Sequence, residues 1–400
     1  MTSCGVNPDF DASLRSIVQP YRFSILRWQL SHLLPAPQTS PPSGAQASTA
    51  LSEVDQVLHY FGLVEDIRAL ERRVETLGAG DATGEVGAAA AVLEARRLEK
   101  AALTERVRQI LARQVRETLA HEGIFTPLDR FLTVRVTFPP INFKLQPPPH
   151  TLIVSPRDRI ESIREIMLVQ DLSLEAKGQL EAAVDALGVS SLVLELGGFG
   201  ATYPTFVADD SSLAYTLKTV TEEWLHQYLA FTPLGFLYVL DLTGIRPDYE
   251  LATINETVAG IVSQEIGDKV LATYYDTAEW EGEPPELTEP QPGFSFNAEM
   301  RRIRLAVDEL LAAGKIEEAE DFMEERRQYL ASQGYYIRKL NQAYFAFYGT
   351  YAYEPTSVSP IGGEVRSLRA QARSVRELLN AAAWMTSRAD LLRLLGAPGP

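Results

Sequence analysis

Apolar residues first recur at helical spacing. Leu58, Val64, Ile67, Leu70, Val74 and Leu77 alternate with charged positions; a Gly/Ala-rich break follows at 78–90; then Leu93, Leu103, Val107, Ile110, Leu111, Val115 and Leu119 resume the pattern. This spacing predicts two long amphipathic helices and a loose turn, a coiled-coil-like hairpin over 51–122. Such a hairpin either covers a core as a scaffold or offers its outer face for protein contact.

From residue 130 the period falls to two. Phe131, Thr133, Arg135 and Thr137 alternate with Leu132, Val134, Val136 and Phe138, and Pro139-Pro140 ends the run. Residues 151–155 and 191–196 read as two further short strands, with a polar helix at about 158–187 between them. Gly197-Gly198-Phe199-Gly200 has neither a Lys-Ser/Thr pair nor GxGxxG spacing, so it reads as a turn into a strand at 201–207. Helices are predicted next at about 211–230, 250–271, 298–313, 315–333, 335–348 and 363–394. A proline- and glutamate-rich loop occupies 279–293. The sum is an α+β protein, mainly α, whose main domain spans 123–400.

Residues 1–50 form an N-terminal segment and a Pro/Ser-rich linker at 35–50. Residues 13–34 come closest to a long apolar run, but Arg15, Arg22, Arg27, His32 and Pro20 interrupt it, so no membrane-spanning helix is expected. An amphipathic surface there could support packing or peripheral membrane association. Met-Thr-Ser-Cys-Gly resembles the end of a lipoprotein cleavage site without the hydrophobic segment before it. Cys4 is a lipid anchor if translation starts upstream, and a free thiol of a soluble cytoplasmic protein otherwise.

Composition narrows the chemistry. The 53 acidic and 37 basic side chains give a net charge of −16, which disfavours nucleic acid as a partner. One cysteine excludes a disulfide framework and a cysteine-built metal site. With only five histidines, any bound metal must draw largely on carboxylates. His32, His59, His121 and His150 have no ligand-spaced partner.

One segment carries candidate chemistry. The helix predicted after Asp209-Asp210-Ser211-Ser212 contains Glu222-Glu223-Trp224-Leu225-His226. Glu222 and His226, four apart, project from one face, with Glu223 beside it. Asn255-Glu256-Thr257-Val258-Ala259 follows on a second helix. From the residues alone, this is either a ligand set or a solvated acidic face with a packed histidine and a salt-bridged Glu256.

The two motifs together resemble the gluzincin metallopeptidases, with their His-Glu-x-x-His helix and a glutamate on a later helix. Tyr203-Pro204-Thr205, Trp224, His226-Gln227-Tyr228-Leu229 and Pro233-Leu234-Gly235 extend the likeness to a group of bacterial zinc peptidases. It runs from about 125 to the C-terminus and is strongest at 200–270. The resemblance implies a zincin-like fold, a peptide or protein substrate, metal ligation by Glu222, His226 and Glu256, and Glu223 as general base. It also implies a tyrosine as an extra donor, for which Tyr344 and Tyr348 are candidates, and an Asn255 that holds the loop of the third ligand.

Glu222 stands where the family has its first histidine. With Zn²⁺, two neutral histidines and one glutamate leave the site one net positive charge; the Glu222 set is neutral. A neutral centre acidifies water and polarises a carbonyl less, so weakened hydrolysis is expected. Two carboxylates also suit Mn²⁺ better than a nitrogen-rich site would. The rival expectation is a pseudopeptidase without catalytic metal, kept as a binding or assembly module.

Overall fold

The first element of the computed structural model is the amphipathic α1 (Pro8–Val18), which buries Leu14 and Val18. The structure describes residues 8–24, 28, 52–78, 83–127, 135–170, 172–199, 202–242, 245–275, 294–349 and 359–396. Cys4, the linker at 35–50, the segment 131–134 and the loop at 279–293 lie outside them.

The hairpin consists of α2 (Glu53–Gly78) and α3 (Thr83–His121). Ser52 starts α2: its hydroxyl accepts the Asp55 N–H and its own N–H donates to the Asp55 carboxylate, both at 3.1 Å. Arg106 reaches Glu53 and Arg97 reaches Glu71, each at 2.8 Å, so the two helices run antiparallel. The expected break at 78–90 is shorter than read: the alanine-rich residues from Thr83 onward are helical, as alanine's propensity favours. The exposed ion pairs contribute at most about 1 kcal/mol each; burial holds the hairpin in place. Val107, Ile110, Leu111 and Val115 share one core with Leu217, Val220, Ile254 and Val258.

An antiparallel sheet is ordered β3 (Arg164–Leu168), β2 (His150–Pro156), β4 (Val189–Leu194). Leu152 and Val154 face α1 and α4 (Leu174–Asp185), whereas Ile153 and Leu192 face Ala343 and Ala346. Here a two-residue period serves two buried faces. The helix expected at about 158–187 is therefore half wrong. Residues 164–168 pair with β2, Leu152 opposite Ile166, and the helix begins only after Ser173, whose hydroxyl accepts the Ala176 N–H at 3.2 Å. A partner strand decided that segment, which its own pattern could not.

A second small sheet is ordered β1 (Phe143–Leu145), β6 (Thr205–Val207), β5 (Gly198–Phe199). Of the expected strand at 201–207, Thr205–Val207 form β6 and 202–204 do not join it, whereas part of the glycine turn is a strand. Residues 135–138 form no strand. Phe138 makes one backbone bond, to Phe125 at 2.8 Å, and Pro139-Pro140 have no N–H to extend a ladder.

Helices make up the rest: α5 (Leu213–Leu229), α6 (Pro233–Leu242), α7 (Tyr249–Tyr274), α8 (Phe296–Ala312) and α9 (Ile316–Ser332). The last two pack on each other through Met300, Ile303, Val307, Met323 and Leu330. No helix was expected at 233–242, because Pro-Leu-Gly-Phe-Leu-Tyr-Val-Leu-Asp-Leu has no polar face to give a period.

Of the helix expected at 335–348, only α10 (Gln342–Tyr348) forms. Arg338 and Lys339 instead pin the preceding segment to Glu181 and Asp185, and the Asn341 side chain accepts the Tyr344 N–H at 2.9 Å. The expected 363–394 helix is three: α11 (Ile361–Gln371), α12 (Val375–Ala382) and α13 (Arg388–Leu394). Ser374 and Ser387 each start a new helix with their side chains. The described architecture is α+β and mainly α, and no described helix is long and apolar enough to cross a membrane.

Candidate metal centre

Helix α5 is placed by its apolar face. Leu217, Val220, Trp224, Leu225 and Tyr228 are buried, and Trp224 Nε1 donates to the Pro139 carbonyl at 2.7 Å. Ser212 starts the helix, its hydroxyl accepting the Tyr215 N–H at 3.3 Å. The opposite face is half-buried and carries Glu222, Glu223 and His226.

Helix α7 crosses α5 and is buried at every position from Leu251 to Gly260. It nevertheless holds Thr253, Asn255, Glu256 and Thr257 in that stretch. The threonines answer to their own helix: Thr253 and Thr257 hydroxyls donate to carbonyls four residues back, at 2.8 and 2.6 Å. Asn255 and Glu256 cannot do so. A buried amide and a buried carboxylate cost several kcal/mol unless partnered, so their surroundings carry the information.

Asn255 Oδ1 lies 3.1 Å from His226 Nδ1. As Oδ1 can only accept, this contact places the proton on Nδ1 and leaves the Nε2 lone pair unprotonated in the neutral ring. Nε2 lies 3.7 Å from Glu256 Oε2, too far for a hydrogen bond. The other Glu256 oxygen, Oε1, accepts the hydroxyl of Tyr238, whose ring stacks on His226 with centroids 5.7 Å apart. One ligand-capable atom from each of Glu222, His226 and Glu256 lies within 4.8 Å of the others.

No protein-family model, no curated protein and no solved structure matches this chain.

The electrostatics of the site are lopsided. Burial alone would lower the His226 pKa; the carboxylates of Glu256, Glu223 and Glu222, with Asn255, outweigh burial and raise it. Burial and the neighbouring Glu256 hold the Tyr238 phenol well above its ordinary range, so it stays a donor. Glu165 on β3 is exposed at its surface, though the fold partly desolvates it. That partial desolvation raises its carboxyl, and Glu256 and Asp241 add to the rise. An excess of negative charge at one place draws a cation.

Glu223 has a neighbour that local sequence does not reveal. A Cβ on Gly198 would collide with the Glu223 carboxylate and with Thr219 Cγ2, so β5 comes against the face of α5 only because residue 198 is glycine. Of the motif residues, Glu222 and His226 are brought together with Glu256, and Glu223 lies one residue along, against Gly198. Asn255 does not hold a loop: it lies inside α7 and orients the His226 ring.

Tyr344 and Tyr348 are placed on α10 with ring centroids 4.5 Å apart and planes tilted by 41°, and Tyr344 packs against the cluster of Ile153 and Leu192. A phenol that does meet the group is Tyr238, through its hydroxyl on Glu256 and its ring on His226, and sequence reasoning missed it. Its one signal was a single hydroxyl in an otherwise apolar stretch between Pro233 and Leu240.

Proposed function

We propose that this protein is a metal-dependent hydrolase of peptide bonds. Glu222, His226 and Glu256 hold the metal and Glu223 serves as general base. The carrying observation is the pair His226 Nε2 and Glu256 Oε2, 3.7 Å apart, each with its remaining polar atom already engaged. Two ligands of a tetrahedral ion with bonds of about 2.1 Å sit about 3.4 Å apart, so this spacing suits a shared cation better than a direct contact.

The donor set fits zinc, which accepts imidazole and carboxylate ligands, and its second carboxylate extends the fit to Mn²⁺. A bound zinc ion supplies Lewis acidity towards a peptide carbonyl and towards water. The chain's own residues do the rest. Asn255 keeps His226 in the tautomer that presents Nε2. Glu223, one residue from Glu222 and backed by Gly198, accepts a proton from water on the same face.

The carboxylate at 222 favours a second reading, a metal-binding module that has lost hydrolysis. Metal content of the purified protein and of Glu256→Ala tests the centre itself: equal, sub-stoichiometric zinc in both excludes it. Glu223→Gln then separates the readings. Chelator-sensitive peptide hydrolysis in the parent that falls about 10²–10⁴-fold in this variant, at unchanged zinc content, identifies a working enzyme. Zinc without hydrolysis identifies the module.

A further inference from the structure

We infer that Tyr238 is a positioning residue that keeps Glu256 a one-oxygen ligand and thereby selects a small, low-coordinate metal such as Zn²⁺ over a larger one such as Mn²⁺. The inference rests on the metal centre proposed above and adds to it a residue from a third helix.

The two oxygens of Glu256 are not equivalent. Oε1 accepts the Tyr238 hydroxyl, whereas Oε2 faces His226 Nε2 at 3.7 Å. Glu256 is only 5% exposed, so water cannot readily replace a lost partner at Oε1. The Tyr238 ring is itself fixed, stacked on His226 with an interplanar angle of 30°, and α6 holds it on one side of the pair. One phenol therefore touches two of the three ligands, with its ring on one and its hydroxyl on the other.

This arrangement has a consequence for the metal. A carboxylate whose second oxygen is committed to a donor binds a cation through the first alone. Zinc in tetrahedral sites accepts that arrangement. Larger, harder ions favour more oxygen ligands and gain from a carboxylate that binds through both oxygens. Without the phenol, a bound metal would be a positive partner within reach of the buried Oε1, and Glu256 would turn towards two-oxygen binding.

Tyr238→Phe keeps the ring and its stack and removes only the donor. The test uses Co²⁺ as a spectroscopic probe of coordination number, together with Zn²⁺ and Mn²⁺ affinities by competition with a chelator. The wild-type protein is expected to give the intense visible absorption of low-coordinate Co²⁺, and Tyr238→Phe a clearly weaker band. Zinc affinity is expected to fall about 10–100-fold in the variant, the range seen when a ligand's hydrogen-bond partner is removed. Mn²⁺ affinity should fall less, so the Zn²⁺/Mn²⁺ preference narrows.

An unchanged Co²⁺ band together with an unchanged Zn²⁺/Mn²⁺ preference overturns the role of Tyr238 while leaving the metal centre standing. A weak, six-coordinate band in the wild-type protein overturns it without any variant. No stoichiometric metal in the wild-type protein overturns the centre and this inference together.

Discussion

His226 and Asn255 meet where α5 crosses α7, Nδ1 to Oδ1 at 3.1 Å, and that one contact chooses which ring nitrogen faces Glu256. Asn255 is fully buried, and its Nδ2 has no hydrogen-bond partner. Its side chain is thus spent on orienting the histidine, with a donor left over. Asn255→Leu, similar in volume, is expected to lower zinc affinity about 10–100-fold by freeing the tautomer. Chelator competition reads the change; an unaltered affinity would show that the ring is held by packing alone.

Glu222→His restores a second imidazole and gives the zinc site one net positive charge. Zinc should bind more tightly, and chelator-sensitive hydrolysis of a peptide substrate should rise relative to the parent. Hydrolysis assays beside zinc titrations check both halves. Tighter zinc with no gain in hydrolysis would place the limiting defect outside the ligand set.

Gly198 and Gly178 make opposite predictions for the same substitution. Alanine at 198 meets the Glu223 carboxylate and Thr219, so the strand or the side chain must shift. A loss of about 1–3 kcal/mol in stability is expected, along with displacement of Glu223. Alanine at 178, exposed on α4 with nothing within 4 Å, should stabilise by about 0.5–1 kcal/mol. Thermal unfolding of the two variants distinguishes close approach from ordinary helix propensity.

Glu299 supplies the pH prediction. Hydrogen bonds from Arg302 and, across the α8–α9 pair, from Arg326 hold its carboxyl below the usual glutamate range, against burial that pushes it up. A lowered folded-state value means that the unfolded chain takes up the proton first as pH falls. The stabilisation is therefore complete above the ordinary glutamate pKa, about 4.3, and is lost as pH falls through the folded value. Glu299→Gln should cost about 1.5–3 kcal/mol at neutral pH, with the gap to wild type shrinking as pH falls below about 4.3. Urea midpoints of both proteins at pH 7 and at about pH 3.5 measure it; a constant gap would contradict the assignment.

The hairpin at 51–122, the helix carrying Glu222 and His226, and the strand at 151–155 were legible because each rests on a local period. An i, i+4 pair faces one way whatever surrounds it, and an apolar stripe of seven turns has one plausible partner surface. The segments at 158–173 and 335–341 were not legible for the converse reason. Their residues suit a helix about as well as an extended chain, and β2 in one case and Glu181 with Asp185 in the other settled the matter from a distance.

The same division runs through the site. Sequence alone determined that a metal, if bound, must draw largely on carboxylates, and that Glu222 and His226 share one helix face with Glu223 beside it. Only tertiary structure decided which side chains complete that face. Burial of α7 along its whole middle forces Asn255 and Glu256 to find partners across the helix crossing, and those partners are His226 and Tyr238. The physical reason is range: helix spacing is fixed within a few residues, whereas desolvating a buried carboxylate is resolved only by whatever the whole fold brings beside it.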